Sequence, residues 1–218
     1  MSLRIAILGA GDIGSTLGRK WVDAGHGVSY GVRDTASSRA QQLGQDLGER
    51  VGIGAPADAL AGSEVVLLAV TGSAVADLVA ANAAHLAGKI VIDATNQRVK
   101  GQAEATGAWG EKNTLNSHSV VAANAPDAVY YRAFNSYAWE IFADPDFGGV
   151  AADLFYCGPA GDTLPVVEQL IADVGLNPVH LGGLDQLETA DNLLALWAAL
   201  AMFQGKGRDR TAFKMLNR

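Results

Sequence analysis

Apolar blocks of strand length alternate with longer stretches of helical period along the first half of the chain. Residues 3–8 (LRIAIL) read as a buried strand, after which Ile13, Leu17, Trp21 and Val22 recur at helical spacing. Residues 28–32 give a second strand pattern, and residues 35–47 a polar helix. The most hydrophobic strand pattern, residues 63–70 (SEVVLLAV), precedes a helix over 74–86, and residues 89–94 (KIVIDA) form a further strand. Continuous apolar runs separated by helices are what a parallel sheet covered on both faces requires. The predicted class is α/β, with a doubly wound, mostly parallel sheet.

From residue 97 to residue 116 this periodicity gives way to Gly, Gln, Asn, Lys and Glu. A stretch of that length without pattern reads either as a surface loop or as a lid over a site. The alternation then resumes, with strands predicted over 129–135, 153–158 and 177–181 and helices over 162–174 and 184–203. No linker rich in Pro, Gly or Ser separates the halves, so the C-terminal part is expected to continue the first sheet or to pack tightly on it.

Gly9, Gly11 and Gly14 form G-x-G-x-x-G directly after a strand and at the start of a helix. In that context each glycine has a task. Gly9 allows the tight turn, Gly11 lets the backbone approach a pyrophosphate, and Gly14 lets the helix lie close to the strand. The amides near Ala10, Asp12 and Ile13 then face the phosphates from the positive end of the helix. This predicts a Rossmann-type dinucleotide-binding domain over residues 1–120, followed by a C-terminal α/β part over residues 121–218.

The choice between NAD and NADP turns on the end of the second strand. Asp34 lies 20 residues beyond Gly14, the usual distance to a ribose-binding acid. The last strand position falls on Gly31 or Val32, however, and Arg33 follows at once. An arginine there can fork onto a 2′-phosphate, with Ser37, Ser38 and Arg39 close enough to add hydroxyl and cationic contacts. NADP is the favoured cofactor.

Composition narrows the classes that remain. With 16 basic and 23 acidic residues the net charge is −7, which argues against a broad nucleic-acid surface. One cysteine, Cys157, leaves no disulfide framework or cysteine zinc cluster. The longest apolar run, residues 193–203, is too short to span a bilayer, and no cleavable leader pattern precedes the first strand. A soluble cytoplasmic protein is expected.

Acid–base machinery is sparse. The helix predicted over 184–203 contains no Lys, Arg or His, and there is no Tyr-x-x-x-Lys pair. His26 and His85 read as surface residues, His118 as a helix start, and His180 as a strand end before Gly182 and Gly183. No metal-ligand spacing appears. Cys157 reads as a small core residue. Such an inventory suits hydride transfer between two redox rings held face to face, where the cofactors carry the chemistry and the protein supplies alignment.

The order of segments resembles the NADP-dependent deazaflavin (coenzyme F-420) oxidoreductases, a group related to the cytosolic reductase domains of six-transmembrane ferric reductases. The resemblance lies in ILGAGDIGSTLG, in GVRD after the second strand, in IDATNQ at residues 92–97 and in RAFNS at residues 132–136. It continues in LFYCGPAGD from Leu154, in residues 174–184 (VGLNPVHLGGL) and in Ala212-Phe213-Lys214. It implies NADP at the glycine loop, Arg33 and nearby hydroxyls on the 2′-phosphate, and Val70, Thr71 and Gly72 near the adenine-side ribose. It further implies Asn96 and Gln97 near the nicotinamide, with Asn135, Ser136, Tyr137 and Ala138 as the floor of the redox pocket, and a homodimer. Two positions depart from the pattern. Val32 replaces a frequent serine before Arg33, and some deazaflavin enzymes carry histidine where Asn135 stands.

The leading expectation is an oxidoreductase passing hydride between NADPH and a deazaflavin or flavin-like acceptor. A quinone, an imine or a ferric chelate are alternative acceptors. The second class is a non-enzymatic NADP-binding redox sensor. The basic tail, with Lys206, Arg208, Arg210, Lys214 and Arg218 against Asp209, reads as solvated or as carrying Phe213 into a dimer interface.

Overall fold

In the computed structural model, which describes residues 2–96 and 117–218, the chain divides into two units. The first takes in residues 2–95 and 117–130, and the second takes in residue 96 and residues 131–218. The loop or lid expected over residues 97–116 lies outside the described residues.

The first unit alternates strand and helix. β1 (Arg4–Leu8), α1 (Asp12–Asp23), β2 (Gly27–Gly31), α2 (Ser38–Leu47), β3 (Val51–Gly54) and α3 (Pro56–Leu60) come first. β4 (Val65–Leu68), α4 (Val75–Ala81), α5 (Ala83–Leu86), β5 (Ile90–Asp93), α6 (Ser117–Asn124) and the start of β6 (Val129–Arg132) follow. The sheet order is β3-β2-β1-β4-β5-β6, and neighbours from β3 through β5 pair in parallel. This is the doubly wound Rossmann order, in which strand order reverses beside β1.

Why these strands sit at the centre follows from their sequences. All four residues of β4 and all four of β5 are buried, as are the last four of β1, so both faces must be covered. α1 covers one face with Leu17 and Trp21, both fully buried. It lies close enough to the sheet that a Cβ on Gly18 would stand 1.8 Å from the Tyr30 hydroxyl oxygen. Tyr30 fills the volume that Gly18 leaves, and burial pushes its phenol up from its ordinary pKa.

Several boundaries differ from the sequence reading for local reasons. β3 and α3 were not expected. β3 is four residues with two glycines and no fully buried position, and its register comes from pairing with β2. The helix predicted over 35–47 starts at Ser38, because Ser37 caps it by accepting the Ala40 N–H while Asp34 closes a turn on the Ala36 N–H. The helix predicted over 74–86 breaks at Asn82, whose side chain donates back to the Leu78 carbonyl. The strand predicted over 129–135 ends at Arg132, just before Phe134 turns the chain at φ +60. His26 is a correction: it is buried, and its Nδ1 accepts the Leu3 N–H at 3.1 Å.

The second unit contains α7 (Trp139–Ala143), β7 (Asp153–Tyr156), α8 (Leu164–Asp173), β8 (Asn177–His180) and α9 (Leu187–Ala198), which widens into a π-turn over Ala199–Phe203. β7 and β8 form a separate two-stranded parallel sheet. Of the two expectations for this part, that β7 and β8 continue the first sheet gives way to a sheet of their own. The segment around Phe213 is strapped onto β7 rather than solvated. Asp153 donates its N–H to the Phe213 carbonyl, and its carboxylate takes Lys214 Nζ at 2.6 Å and the Met215 N–H at 2.6 Å. The Phe213 ring packs on Tyr137 and Phe155, and Trp197 Nε1 donates to the Thr211 carbonyl. Among the described residues no helix is long and apolar enough to cross a membrane.

Candidate functional site

The parallel register brings the ends of β2, β1 and β4 level, since Leu8 pairs with both Gly31 and Leu68. The loops that leave those ends meet at one edge. Gly9 donates its N–H to the Gly31 carbonyl at 3.0 Å and has φ +114, a conformation that side chains rarely adopt. A Cβ there would stand 2.5 Å from the Ala69 carbonyl oxygen and 3.1 Å from the Val70 side chain. Gly9, Ala10 and Gly11 thus lie against Ala69 and Val70, and Thr71 and Gly72 follow at the start of a short 3-10 turn.

The glycines differ in what they accommodate. A Cβ on Gly14 would stand 2.2 Å from the Gly9 carbonyl, so helix and loop themselves demand glycine there. Gly11 is different. It has ordinary backbone angles (φ −70, ψ −177), and the nearest heavy atom to a Cβ built on it is 4.0 Å away. The protein's own packing does not call for glycine at this position. It lies at the N-terminus of α1, where Asp12, Ile13 and Gly14 carry the first helical amides, groups that can receive an anion. No side chain caps this end.

At the end of β2, Arg33 is exposed and makes no hydrogen bond or ion pair among the described residues. Ser37 is committed to capping α2 and donates its hydroxyl to the Asp34 carbonyl at 2.8 Å, while Ser38 is exposed at the first turn of α2. Arg39 reaches from the same turn to Asp12, its Nη2 donating to Oδ1 at 2.6 Å. Asp34 uses its side chain in the turn.

In the second unit the RAFNS segment builds a polar cluster. Arg132, only 3 % exposed, donates Nε to Asp191 Oδ1 of α9 at 2.8 Å and Nη2 to Asn96 Oδ1 at 3.2 Å. Asn96 Nδ2 donates to the Asn135 carbonyl at 2.8 Å, and Asn135 Nδ2 is shared between the Ala190 carbonyl and Asp191 Oδ1, each at 3.3 Å. These partners fix both amides, because a guanidinium only donates and a carbonyl or carboxylate only accepts. Asn135 Oδ1 and Ser136 Oγ remain buried without a partner among the described residues, an uncommon condition for polar atoms. Sequence reasoning missed Asp191 and assigned Arg132 no role. The available signal was a cation inside an apolar strand, which requires a counter-charge.

Tyr137 and Ala138 are buried beside this cluster. The Tyr137 hydroxyl donates to the Asp153 carbonyl at 2.7 Å and accepts the Phe213 N–H at 3.0 Å. Burial raises its phenol above the ordinary range. Gln97 lies outside the described residues. His180 Nε2 donates to the Gly158 carbonyl at 3.0 Å, and its ring stacks on Tyr156. Cys157 is buried, and that burial pushes its thiol up to about 11. Among the described residues no group of His, Cys, Asp and Glu is placed to hold a metal ion.

Comparison with known proteins bears on this geometry. No curated protein matches the chain. A structure from Arthrobacter sp. FB24, described as a candidate F420-dependent NADP-reductase, is 28 % identical with a TM-score of 0.82, covering 99 % of this chain and 100 % of that one. A hypothetical protein from Sinorhizobium meliloti is 31 % identical with a TM-score of 0.71, covering 85 % of this chain and 87 % of that one. A reductive aminase from Aspergillus terreus shares the fold at 20 % identity and a TM-score of 0.66, covering 94 % of this chain and 64 % of that one. Residues 4–97, which hold the glycine loop and the ends of β1, β2, β4 and β5, match the family described as NADP oxidoreductase, coenzyme F420-dependent. Over those residues the chain resembles that family, and it is an NADP-dependent oxidoreductase.

Proposed function

We propose that this oxidoreductase transfers hydride between NADPH and a deazaflavin or flavin-like acceptor. The observation that carries the reading is the open space over Gly11, a glycine that the fold itself does not require. In the proposal the backbone of Gly9, Ala10, Gly11, Asp12, Ile13 and Gly14 holds the pyrophosphate. Arg33, with Ser37 and Ser38, selects the 2′-phosphate, and Val70, Thr71 and Gly72 border the adenine-side ribose. The exposed, unpaired guanidinium of Arg33 supports its role, since a 2′-phosphate gives it the bidentate partner that its geometry suits.

When bound, the nicotinamide supplies or receives the hydride at C4. Asn96, Gln97, Asn135, Ser136, Tyr137 and Ala138 are proposed to orient the reacting rings. The two buried oxygens of Asn135 and Ser136 that lack partners support this, as does the rigid setting of both asparagine amides. No side chain is assigned as proton donor, because hydride passing between two redox rings asks for alignment more than acid–base help. A homodimer completes the proposal. Trp139, Val150, Leu196 and Met202, all exposed apolar side chains, support it, and light scattering tests it.

Stopped-flow absorbance with NADPH and deazaflavin coenzyme F-420, with NADH and flavin mononucleotide as controls, tests the reaction. Rapid loss of the deazaflavin absorbance with NADPH but not NADH is expected. Tight NADPH binding without turnover on either acceptor would overturn the deazaflavin reading and direct the search to imines, quinones or ferric chelates.

A further inference from the structure

The pair Asp12–Arg39 joins two elements that the proposed cofactor would also touch. Asp12 is the first residue of α1, immediately after the glycine loop, and Arg39 is the second residue of α2, immediately after the turn that carries Arg33 and Ser37. Arg39 Nη2 and Asp12 Oδ1 are 2.6 Å apart, so the guanidinium reaches from the end of β2 to the end of β1. That edge is where the adenosine ribose lies in this fold.

The pair has little structural work to do. Both side chains are largely exposed, and exposed ion pairs add little to stability. Asp12 caps nothing, since the N-cap position of α1 is Gly11 and no side chain caps that end. A carboxylate beside a phosphate-binding loop would moreover repel an incoming phosphate. Among the described residues its ion pair is with Arg39, whose guanidinium suits a phosphate as well as a carboxylate.

We infer that Asp12 is a resident counter-ion that competes with the cofactor's 2′-phosphate for Arg39. The inference rests on the reading of NADP binding given above, and makes Asp12 a positioning residue and Arg39 a specificity-determining one. In the free protein Asp12 holds Arg39. When the 2′-phosphate arrives, the guanidinium exchanges a carboxylate for a phosphate dianion, and part of the attraction is spent in releasing Asp12. NADH, without that phosphate, leaves the pair intact. The carboxylate therefore moderates the preference for NADPH and hastens its release.

The test is a double-mutant cycle read as the ratio of the NADH and NADPH dissociation constants, measured by fluorescence titration at one ionic strength. Arg39→Ala is expected to lower the ratio about tenfold, the scale of one charge-assisted contact, and Arg39→Gln provides a second variant that keeps the side-chain length. Asp12→Asn is expected to raise the ratio about threefold in the parent protein, the scale of an exposed ion pair, and to leave it unchanged in the Arg39→Ala background. A fall or no change on Asp12→Asn, or an equal rise with and without Arg39, overturns the inference. A parent protein that binds NADH as tightly as NADPH overturns the 2′-phosphate reading itself, a result distinguishable from the first because it appears before any substitution.

Discussion

The side chain that Gly14 lacks would stand 2.2 Å from the carbonyl oxygen of Gly9, so the first turn of α1 and the loop before it occupy adjoining space with nothing to spare. Gly14→Ala must displace backbone. A loss of about 1–3 kcal/mol is expected, the usual scale of overpacking, and thermal denaturation without any ligand measures it.

Gly11→Ala should behave in the opposite manner. Its added methyl meets no protein atom closer than 4.0 Å, so the melting temperature without cofactor should stay at the parent value. NADPH affinity should fall by about tenfold or more, or about 1.4 kcal/mol, read by titration. A variant that melts early but binds normally would show that Gly11 serves the fold.

Asp191→Ala takes from the Arg132 guanidinium, 3 % exposed, the carboxylate to which its Nε donates. Breaking a buried pair from one side costs about 3–5 kcal/mol, and urea unfolding is expected to show a loss at the lower end of that range because Asp191 retains some exposure. Asp191→Asn keeps an acceptor for Arg132 and should lose less.

Acid should loosen the strap over β7. Burial alone would raise the Asp153 carboxyl, but bonds from Lys214, the Met215 N–H and Asn177 outweigh it and hold it below the ordinary range. A lowered folded-state pKa contributes stability that is complete above the unfolded value of about 3.9 and is lost as pH falls from there through the folded value. Trp197, which donates to the Thr211 carbonyl, is the natural reporter. Its fluorescence should change over that window, and Asp153→Asn should flatten the acid dependence of stability.

Cys157 should resist thiol reagents in the native state. Its thiol is fully buried and pushed up to about 11 by that burial, so little thiolate forms at pH 8 and none of it is reachable. Labelling should proceed only at the rate of unfolding, and prompt labelling of the folded protein would contradict the burial.

The parts of this molecule that announce themselves in sequence are those whose cause is local. β1, β4 and β5 are legible because strands buried on both faces must be continuously apolar, and the glycine loop because each residue serves a turn or a close approach within a few positions. β3 lacks that signature: Val51, Gly52, Ile53 and Gly54 gain their strand character only by lying beside β2. The contact between Arg132 and Asp191 spans 59 residues, and nothing in the neighbourhood of either predicts the other. His26 misled for the same reason, since its partner is the Leu3 amide on another element. The pairing of Asp12 with Arg39, 27 residues apart, belongs to this class as well. Each residue is visible in its motif, while the bond between them exists only after β1 and β2 align.

Gly18 and Tyr30 have a consequence for how this sequence can drift. They divide one volume between helix and strand, with the tyrosine oxygen 1.8 Å from where a Cβ on residue 18 would lie. Any side chain at position 18 therefore waits on a smaller residue at position 30, and a smaller residue at 30 leaves a void until position 18 grows. The two sites are expected to mutate as a couple. A library randomised at both, selected only for folded protein, should return linked pairs rather than independent choices.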